Sequence, residues 1–363
     1  MIGPSPVVLA CVFLLVTSAA AQTPVPTIRS ESNIVLAPAL VLTKSGEIVR
    51  GLSAKDFVVE DEGVAQEIQL DETPDTEPVS LVVAVQRGGS ASLEFGQSGD
   101  QGAKAQDPLG VMAGHKLHKI QSAPLSGLGT MVEDFLGDTK SEVAVVAFDS
   151  EPTLIQDFTE KVPSATKVLH DLKGSGRGGS AVLDAVSYSV GLLEGRPGGR
   201  TKVVLLISEP RDHGSHTKLE QVIENVMRSN VLIYSVTFSP LRAETMRDLK
   251  GENRDTSGAI GDPVFNRPAA GVDLLGLASK ASNALRKNAA EAVADMSGGE
   301  YRTFKDKLTF DGSVDAFANH VRNRYLLSFQ PKNPKPGPHT ITVRLRDSRS
   351  DVSVTARNRY WAK

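Results

Sequence analysis

The chain has 363 residues, which is long enough for two or three domains with a sizeable core. Its 40 lysine and arginine residues nearly balance its 43 aspartate and glutamate residues, and this argues against a nucleic-acid-binding surface. Aromatic residues make up only 5% of the chain, too few for a platform on which bases or sugars would stack.

The first 21 residues have the pattern of a secretory signal peptide. Residues 7–16 are apolar, and the alanines at 19–21 form a cleavage site of small residues. The apolar segment is too short to cross a bilayer and no later run is long enough, so we expect no membrane span after cleavage. Cys11 is the single cysteine and lies in this segment, so the mature chain would contain no disulfide. We predict an exported protein that is secreted, periplasmic or associated with the cell surface.

Residues 22–78 contain several short β-strands and end in a polar, proline-containing linker. The predicted strands are residues 33–42, 48–52, 57–60 and 66–70, with a hairpin turn at 61–63. So few short strands form only a marginal sheet by themselves. This N-terminal β segment should therefore pack against another part of the chain.

A continuous apolar run at residues 81–85 predicts the central strand of a mostly parallel sheet, because both faces of such a strand are buried. Strands and helices alternate after it. Further strands are predicted at 141–148, 153–158, 202–207 and 231–238, with 153–158 at an edge. Helices are predicted at 115–136, 164–172, 181–193, 218–227, 289–296 and 314–321. The alternation predicts an α/β domain over residues 79–323 with a doubly wound, mostly parallel, Rossmann-like sheet.

The last segment, residues 324–363, returns to β structure, with strands predicted at 325–329, 339–345 and 351–357. Because the two ends of a domain often lie close together, the α/β domain could bring the N- and C-terminal β segments into contact. We predict that both segments form one small antiparallel β-sandwich. Its predicted core residues are Val35, Leu40, Phe57 and Val59, facing Leu327, Phe329, Ile341 and Val343.

Five stretches, taken in this order and spacing, resemble a known family. They are GLSAKDFVVED (51–61), VAVVAFD (143–149), GGSAVLDA (178–185), ADMSGG (294–299) and YLLSFQP (325–331). The chain resembles a von Willebrand factor type A (VWA) domain and, more closely, the VWFA-related family of secreted bacterial proteins. The similarity covers most of residues 34–361, and it implies a binding face at the carboxyl ends of the sheet strands.

The resemblance also implies a metal site, which VWA domains commonly build from an Asp-x-Ser-x-Ser motif, a Thr and a second Asp. In this chain the matching positions hold Gln86, Gly88, Ser90, Ser180 and Glu209. One carboxylate and one hydroxyl oxygen are missing, whereas Mg²⁺ requires nearly octahedral oxygen ligation with carboxylate charge nearby. We therefore expect a degenerate metal-ion-dependent adhesion site (MIDAS), with no Mg²⁺, Ca²⁺ or other cofactor.

Neighbouring residues bear on this expectation in opposite ways. Arg87 adds a positive charge beside the site, which raises the electrostatic cost of holding a dication. Asp100 and Asp107, in the Gly/Ser/Asp-rich loop 87–114, could instead supply replacement ligands. A rearranged cation site therefore remains an alternative.

A serine hydrolase is a more remote alternative. Ser90 follows a strand, but a nucleophile elbow turns directly into a helix, and a Gly/Ser-rich loop follows here instead. His320 or His339 could complete a triad, although the resemblance places both far from this loop. We predict no catalytic residues.

Other polar patterns have structural explanations. The glycines at 174–179 match a dinucleotide-binding pattern, but they follow a helix instead of a strand. His115 with His118, and His213 with His216, have the spacing of zinc ligands but lack further ligands, so we expect solvated histidines. Alternating C-terminal arginines are expected on the exposed face of strands; they are Arg344, Arg346, Arg349 and Arg357.

The sequence favours an exported, non-enzymatic protein-interaction module of the adhesion type. It would bind a protein partner through loops 86–114, 209–217 and 239–271, because binding residues gather on loops held by a rigid scaffold. The main alternative is a metal-dependent adhesion module with a rearranged divalent-cation site.

Overall fold

The chain contributes strands to a β-sandwich at its beginning and again at its end, and it forms an α/β domain between them. The computed structural model describes residues 34–72, 77–89, 91, 127–137, 140–175, 178–238, 274–332, 334–347 and 351–362, all within one compact unit. The strands are β1 (Val35–Thr43), β2 (Phe57–Asp61), β3 (Val64–Ala65), β4 (Ile68–Glu72), β5 (Val79–Gln86), β6 (Glu142–Phe148), β7 (Pro152–Thr159), β8 (Thr201–Ser208), β9 (Val231–Phe238), β10 (Tyr301–Phe304), β11 (Tyr325–Phe329), β12 (Gly337–Leu345), β13 (Val352–Ala356) and β14 (Arg359–Ala362). The α-helices are α1 (Leu128–Leu136), α2 (Val162–Asp171), α3 (Val182–Glu194), α4 (Leu219–Arg228), α5 (Leu274–Lys287), α6 (Ala289–Ser297) and α7 (Lys307–Arg322).

The central sheet has the strand order β10-β9-β8-β5-β6-β7 and is parallel except at β7, an antiparallel edge strand. All residues of β5 are buried. Leu81, Val83 and Val85 pack with α1, α2 and α7, whereas Val82 and Ala84 pack with α3 to α6 on the opposite face. Helices therefore cover both faces of the sheet, which confirms the predicted doubly wound α/β fold and its central strand.

Each sheet of the sandwich contains strands from both ends of the chain. One sheet has the order β13-β1-β11-β4 and the other β14-β12-β2-β3. The shared core buries six of the residues predicted for it, with Val343 half-buried at its margin; the six are Val35, Phe57, Val59, Leu327, Phe329 and Ile341. The prediction for Leu40 is wrong. It is buried but lies outside this core, because neighbouring residues of a strand point to opposite faces and Ala39 and Val41 face the core.

Several elements differ from the prediction. The predicted strand at 48–52 is wrong, since Ile48 forms only an isolated bridge to Leu42. Strands β10 and β14 and helix α5 were not predicted. Helix α7 begins well before the predicted residue 314, because the Asp306 carboxylate accepts a hydrogen bond from the backbone N–H of Thr309 and caps the helix.

Some predictions fall outside the described residues. They concern the signal peptide, most of loop 87–114 including Ser90, Asp100 and Asp107, the pair His115 and His118, loop 239–271, and Arg349. Among the described helices, none combines the length and the apolar character needed to cross a membrane.

The prediction that Arg357 lies on an exposed face is wrong. This residue is buried between the sandwich and the α/β domain, whereas Arg344 and Arg346 are exposed as predicted. Its guanidinium donates to the backbone oxygen of Met227 and to the side-chain oxygen of Asn230, at the C-terminal end of α4. The last carbonyl groups of a helix have no partner within the helix, and Arg357 supplies one. Burial lowers the pKa of Arg357 to about 10.

A second buried arginine, Arg324, lies at the same junction. Its Nε donates to the hydroxyl oxygen of Tyr234 in β9 over 2.8 Å, and its Nη1 donates to the backbone oxygen of Gly298 over 2.6 Å. Burial raises the pKa of Tyr234 to about 12, so this hydroxyl stays neutral. Arg324 thus joins the start of β11 to the sheet and to the end of α6.

Two glycines after α6 allow the sandwich and the central sheet to approach closely. Gly298 ends the helix in the left-handed region, at φ +81°, as the predicted stop signal requires. A Cβ atom on Gly298 would lie 2.3 Å from the backbone nitrogen of Arg357. A Cβ atom on Gly299 would lie 1.9 Å from the backbone oxygen of Ile233. The backbones on either side therefore leave no room for a side chain.

We expect Gly299→Ala to lower the free energy of unfolding by about 3 kcal/mol or more, because backbone atoms that cannot swing aside would have to move. Gly191→Ala is the matched control. Gly191 is exposed in the middle of α3 with open space around its Cβ position, so alanine there should stabilise the fold by about 0.5–1 kcal/mol. Urea denaturation of both variants measures the difference. Equal stability of the two variants would contradict the packing described at the junction.

Candidate functional site

Four of the five predicted metal-site positions lie together at the carboxyl ends of the parallel strands. Gln86 is the last residue of β5, with Gly88 just after it, Glu209 follows β8 and Ser180 precedes α3. The side chains are deeply buried, with exposed fractions of 0% for Gln86, 1% for Ser180 and 2% for Glu209. The fifth position, Ser90, lies outside the described residues. The structure thus brings together four of the five positions that the resemblance to VWA domains implied.

The side-chain amide of Gln86 is the centre of this cluster. Its oxygen accepts hydrogen bonds from the Ser180 hydroxyl over 2.9 Å and from the backbone N–H of Glu209 over 2.7 Å. Its nitrogen donates to the backbone oxygen of Gly88 and to the Glu209 carboxylate, both over 3.1 Å. A primary amide has two donor hydrogens and two acceptor lone pairs, so the hydrogen-bonding capacity of Gln86 is filled.

This arrangement bears on whether a divalent cation fits. The amide nitrogen directs a hydrogen at the Glu209 carboxylate, the one described carboxylate among these positions. Gly89, at φ +58°, passes close to the same group, since a Cβ atom there would lie 3.0 Å from Glu209 Oε1. A hard dication needs several free oxygen ligands with nearby negative charge. The described donor set therefore does not fit Mg²⁺.

The loop that carries Ser180 is held in place by its own backbone. Ser180 and His213 exchange two backbone hydrogen bonds as an isolated antiparallel bridge. The backbone N–H of Ala181 donates to the backbone oxygen of Asp149, at the end of β6. Gly179 has φ +112°, and a Cβ atom there would lie 2.7 Å from the Ser150 hydroxyl. The loop that carries Ser180 therefore packs closely against the loop after β6, and only glycine fits at position 179.

Loop 209–217 caps the start of α3 with side chains that the sequence did not single out. The Asp212 carboxylate accepts from the backbone N–H of Leu183 over 3.0 Å, and the Ser215 hydroxyl accepts from that of Asp184 over 3.1 Å. These contacts satisfy donors that have no partner inside the helix. A Ser or Asp near a helix start is a common signal, but here the caps come from a loop distant in sequence, so spacing alone does not reveal them.

Asp184, in the first turn of α3, also fixes loop 209–217. Its carboxylate accepts hydrogen bonds from the backbone N–H groups of His216 over 2.9 Å and Thr217 over 2.8 Å. Burial alone would raise the pKa of Asp184, but the hydrogen bonds from Thr217 and His216 outweigh it and hold the pKa below its usual value. The loop is therefore fixed by a charged acceptor.

The histidines of this region are not part of a described metal cluster. His213 and His216 are exposed, and His216 Nδ1 lies 3.6 Å from the Asp184 carboxylate. The two histidines considered for a catalytic triad are engaged elsewhere: His320 contacts Glu300 over 2.7 Å and His339 contacts Asp61 over 3.0 Å. Within the described residues, the group of ionisable side chains with metal-ligand spacing lies in the sandwich instead.

A family comparison identifies the central part of the chain. Residues 116–266 match the family model of the von Willebrand factor type A domain. This part of the chain is similar to a VWA domain. The match includes β6, β8 and β9 with Ser180 and Glu209. It begins after β5, so the correspondence of Gln86 and Gly88 to VWA metal-site positions rests on their place in the sheet.

Solved structures give weaker similarities, and no curated protein sequence matches the chain. An aerotolerance-related membrane protein from Bacteroides fragilis is 12% identical, with a TM-score of 0.39 over 67% of this chain and 98% of that chain. BatB from Bacteroides thetaiotaomicron is 12% identical, with a TM-score of 0.38 over 67% and 99%. Proximal thread matrix protein 1 from the mussel byssus is 10% identical, with a TM-score of 0.40 over 77% and 50%. We draw no functional conclusion from similarity at this level.

We expect Asp184→Asn to lower the free energy of unfolding at neutral pH by about 1–2 kcal/mol, because it removes a charged acceptor. The folded pKa of Asp184 lies below its ordinary value of 3.8, so the carboxylate stabilises the fold above that pH. Its contribution disappears as the pH falls through the folded pKa. Urea denaturation from about pH 7 to about pH 3 should show the difference from wild type closing below 3.8.

The exposed Asp171→Asn is the control, and it should change stability little at any pH. A deficit in Asp184→Asn that persists unchanged into acid would mean that the carboxylate charge contributes nothing to the loop.

Proposed function

We propose that this chain is an exported, non-enzymatic interaction module that binds a protein partner at the carboxyl ends of its sheet strands and does so without a metal ion. Its VWA domain supplies the scaffold, and the signal-peptide pattern of residues 1–21 supports export. The proposal also holds that the MIDAS is degenerate, as in a member of the VWFA-related family whose metal function has been replaced.

The side-chain amide of Gln86 carries the proposal. In a metal-dependent site the cation joins side chains from different loops through their oxygens. Here the Gln86 amide joins Ser180, Gly88 and Glu209 by four hydrogen bonds and needs no ion to do so. The loops at the strand ends are thus held in one arrangement by hydrogen bonds within the protein. A prearranged face loses less conformational entropy when a partner binds.

The surface above this network is suited to contacts with a protein. Ser150, Gly178, Arg211, His213 and His216 are exposed around the buried centre, and we call these five residues the rim. The loops that carry them are fixed from beneath by the contacts of Asp149, Asp212 and Ser215. A polar rim that combines an arginine, two histidines and the Ser150 hydroxyl offers directed hydrogen bonds to a protein surface.

Site-specific photo-crosslinking tests where the partner binds. A photoreactive residue at position 213 lies in the rim, and one at position 198 lies in an exposed loop before β8, at the amino ends of the parallel strands. We expect the mature protein to form a defined crosslinked species with native extracytoplasmic proteins from position 213 and not from position 198. Arg211→Glu should reduce its yield several-fold. Equal crosslinking from both positions, or none from position 213, would refute binding at the rim.

We expect millimolar Mg²⁺ to leave the Tm of the mature protein unchanged, because a ligand that binds only the folded state would raise it. The triple variant Gln86→Asp, Gly88→Ser, Glu209→Asp restores the oxygen ligands of a VWA metal site. Its Tm should rise by several degrees in Mg²⁺, since binding at about 100 times Kd is worth about 2.7 kcal/mol. Differential scanning calorimetry with and without Mg²⁺ measures both proteins.

A rise in the wild-type Tm that disappears in Glu209→Ala would contradict the proposal and support the metal-dependent alternative. If the triple variant folds and still ignores Mg²⁺, the assignment of these positions to the metal site is wrong.

A further inference from the structure

A second cluster of ionisable groups lies in the sandwich, away from the strand-end face. Asp61 is the last residue of β2, Glu62 follows it in the hairpin turn, and His339 and Tyr360 face each other across β12 and β14. Asp61 and His339 are each 7% exposed and Tyr360 is 3% exposed. Charged groups are rarely buried to this extent unless they pair or bind a metal. The binding face proposed above does not include this cluster.

Both ring nitrogens of His339 have hydrogen-bond partners, and these fix the direction in which Nδ1 points. Nε2 lies 2.7 Å from the backbone oxygen of Lys335, which can only accept, so Nε2 carries a proton. In the neutral ring the lone pair of Nδ1 then faces the Asp61 carboxylate, 3.0 Å away. Two acceptors at this distance repel unless a proton or a cation lies between them. A histidine fixed through its other nitrogen by a backbone carbonyl is the usual arrangement in metal sites.

We propose that Asp61, Glu62 and His339 bind a zinc ion. One ligand atom from each residue lies within 4.8 Å of the others. With bonds of about 2.0–2.1 Å, tetrahedral zinc ligands lie about 3.3 Å apart, so a small inward rotation of the half-buried Glu62 side chain completes three ligands. A water molecule would take the fourth position, as it does in three-ligand zinc sites.

The chemistry of the three ligands selects the ion. One imidazole nitrogen and two carboxylates suit a borderline cation such as Zn²⁺, whereas Mg²⁺ and Ca²⁺ favour oxygen ligands alone. Two carboxylates beside a neutral imidazole balance the charge of a dication. The Tyr360 hydroxyl donates to the other oxygen of Asp61 over 3.0 Å and orients that carboxylate.

Zinc at this position would join two distant parts of the chain. Asp61 and Glu62 belong to the N-terminal β segment and His339 to the C-terminal one, and Asp61 and His339 are 278 residues apart in sequence. Because the ligands meet only in the folded sandwich, zinc would bind the folded state alone and stabilise it. This inference does not depend on the proposed function, since its ligands are separate from Gln86 and Glu209.

The test uses the mature chain, residues 22–363, stripped of metal with a chelator and then titrated with ZnCl₂. We expect one zinc ion per chain by calorimetric titration and a rise in Tm of about 5 °C at saturating zinc. Co²⁺ in place of zinc should give the visible absorption of a four-coordinate nitrogen and oxygen site. Glu62→Gln should abolish both effects, and because Glu62 is half-buried in a turn and Gln retains an acceptor for Thr340, this variant should fold.

His339→Gln should also abolish binding, and His320→Gln is its matched control, because it removes a different buried histidine that contacts a carboxylate, that of Glu300. His320→Gln should keep the zinc response. Absence of a zinc-induced rise in the wild-type Tm would overturn the proposal and leave a buried ion pair. A zinc response that survives in Glu62→Gln and His339→Gln would overturn it as well, because the ion would then bind elsewhere.

Discussion

The pairing of β1 with strands from the other end of the chain is the constraint on which the whole structure depends. β1 lies between β11 and β13, with Val35 opposite Phe329 and Val41 opposite Val354. These partners are separated by the entire α/β domain, so their contact carries a loop-closure cost if that domain is unfolded. Folding of the α/β domain brings the two ends together and lowers this cost. Formation of the sandwich therefore depends on folding of the α/β domain, which lies between its two halves in the sequence.

The buried amide of Gln86 at the strand ends determines whether its contact with Glu209 is attractive or repulsive. A carboxylate at position 86 would repel the Glu209 carboxylate and would need a cation between them. The amide of Gln86 has nearly the same shape but supplies its own donor, so the contact with Glu209 becomes attractive. This contact holds the loops together without an ion, which supports the proposal that the face works without a metal.

The sequence was most informative where one physical effect dominated. The uninterrupted apolar run of β5 predicted a central strand. The resemblance to VWA domains implied one site for Gln86, Ser180 and Glu209, and these three residues are joined by hydrogen bonds. Strand β10 is short and polar, with Arg302 and Thr303 at its centre, so its apolar pattern is too weak to predict a strand. The alternation of arginines with apolar residues predicted that Arg357 is exposed. Its side chain is buried instead, because it donates to a carbonyl group in the last turn of α4 that has no partner within the helix. The orientation of the Gln86 amide is set by four hydrogen bonds to Gly88, Ser180 and Glu209. These residues lie in three loops, so no local sequence pattern contains that information.

Helix α4 links loop 209–217 to the sandwich. It begins just after loop 209–217, beside the rim, and the carbonyl group of Met227 in its last turn accepts a hydrogen bond from Arg357 of the sandwich. A helix of ten residues is about 15 Å long and resists compression along its axis. Loop 209–217 and Arg357 therefore contact opposite ends of one stiff element, and a displacement of α4 along its axis would strain the contacts at both ends.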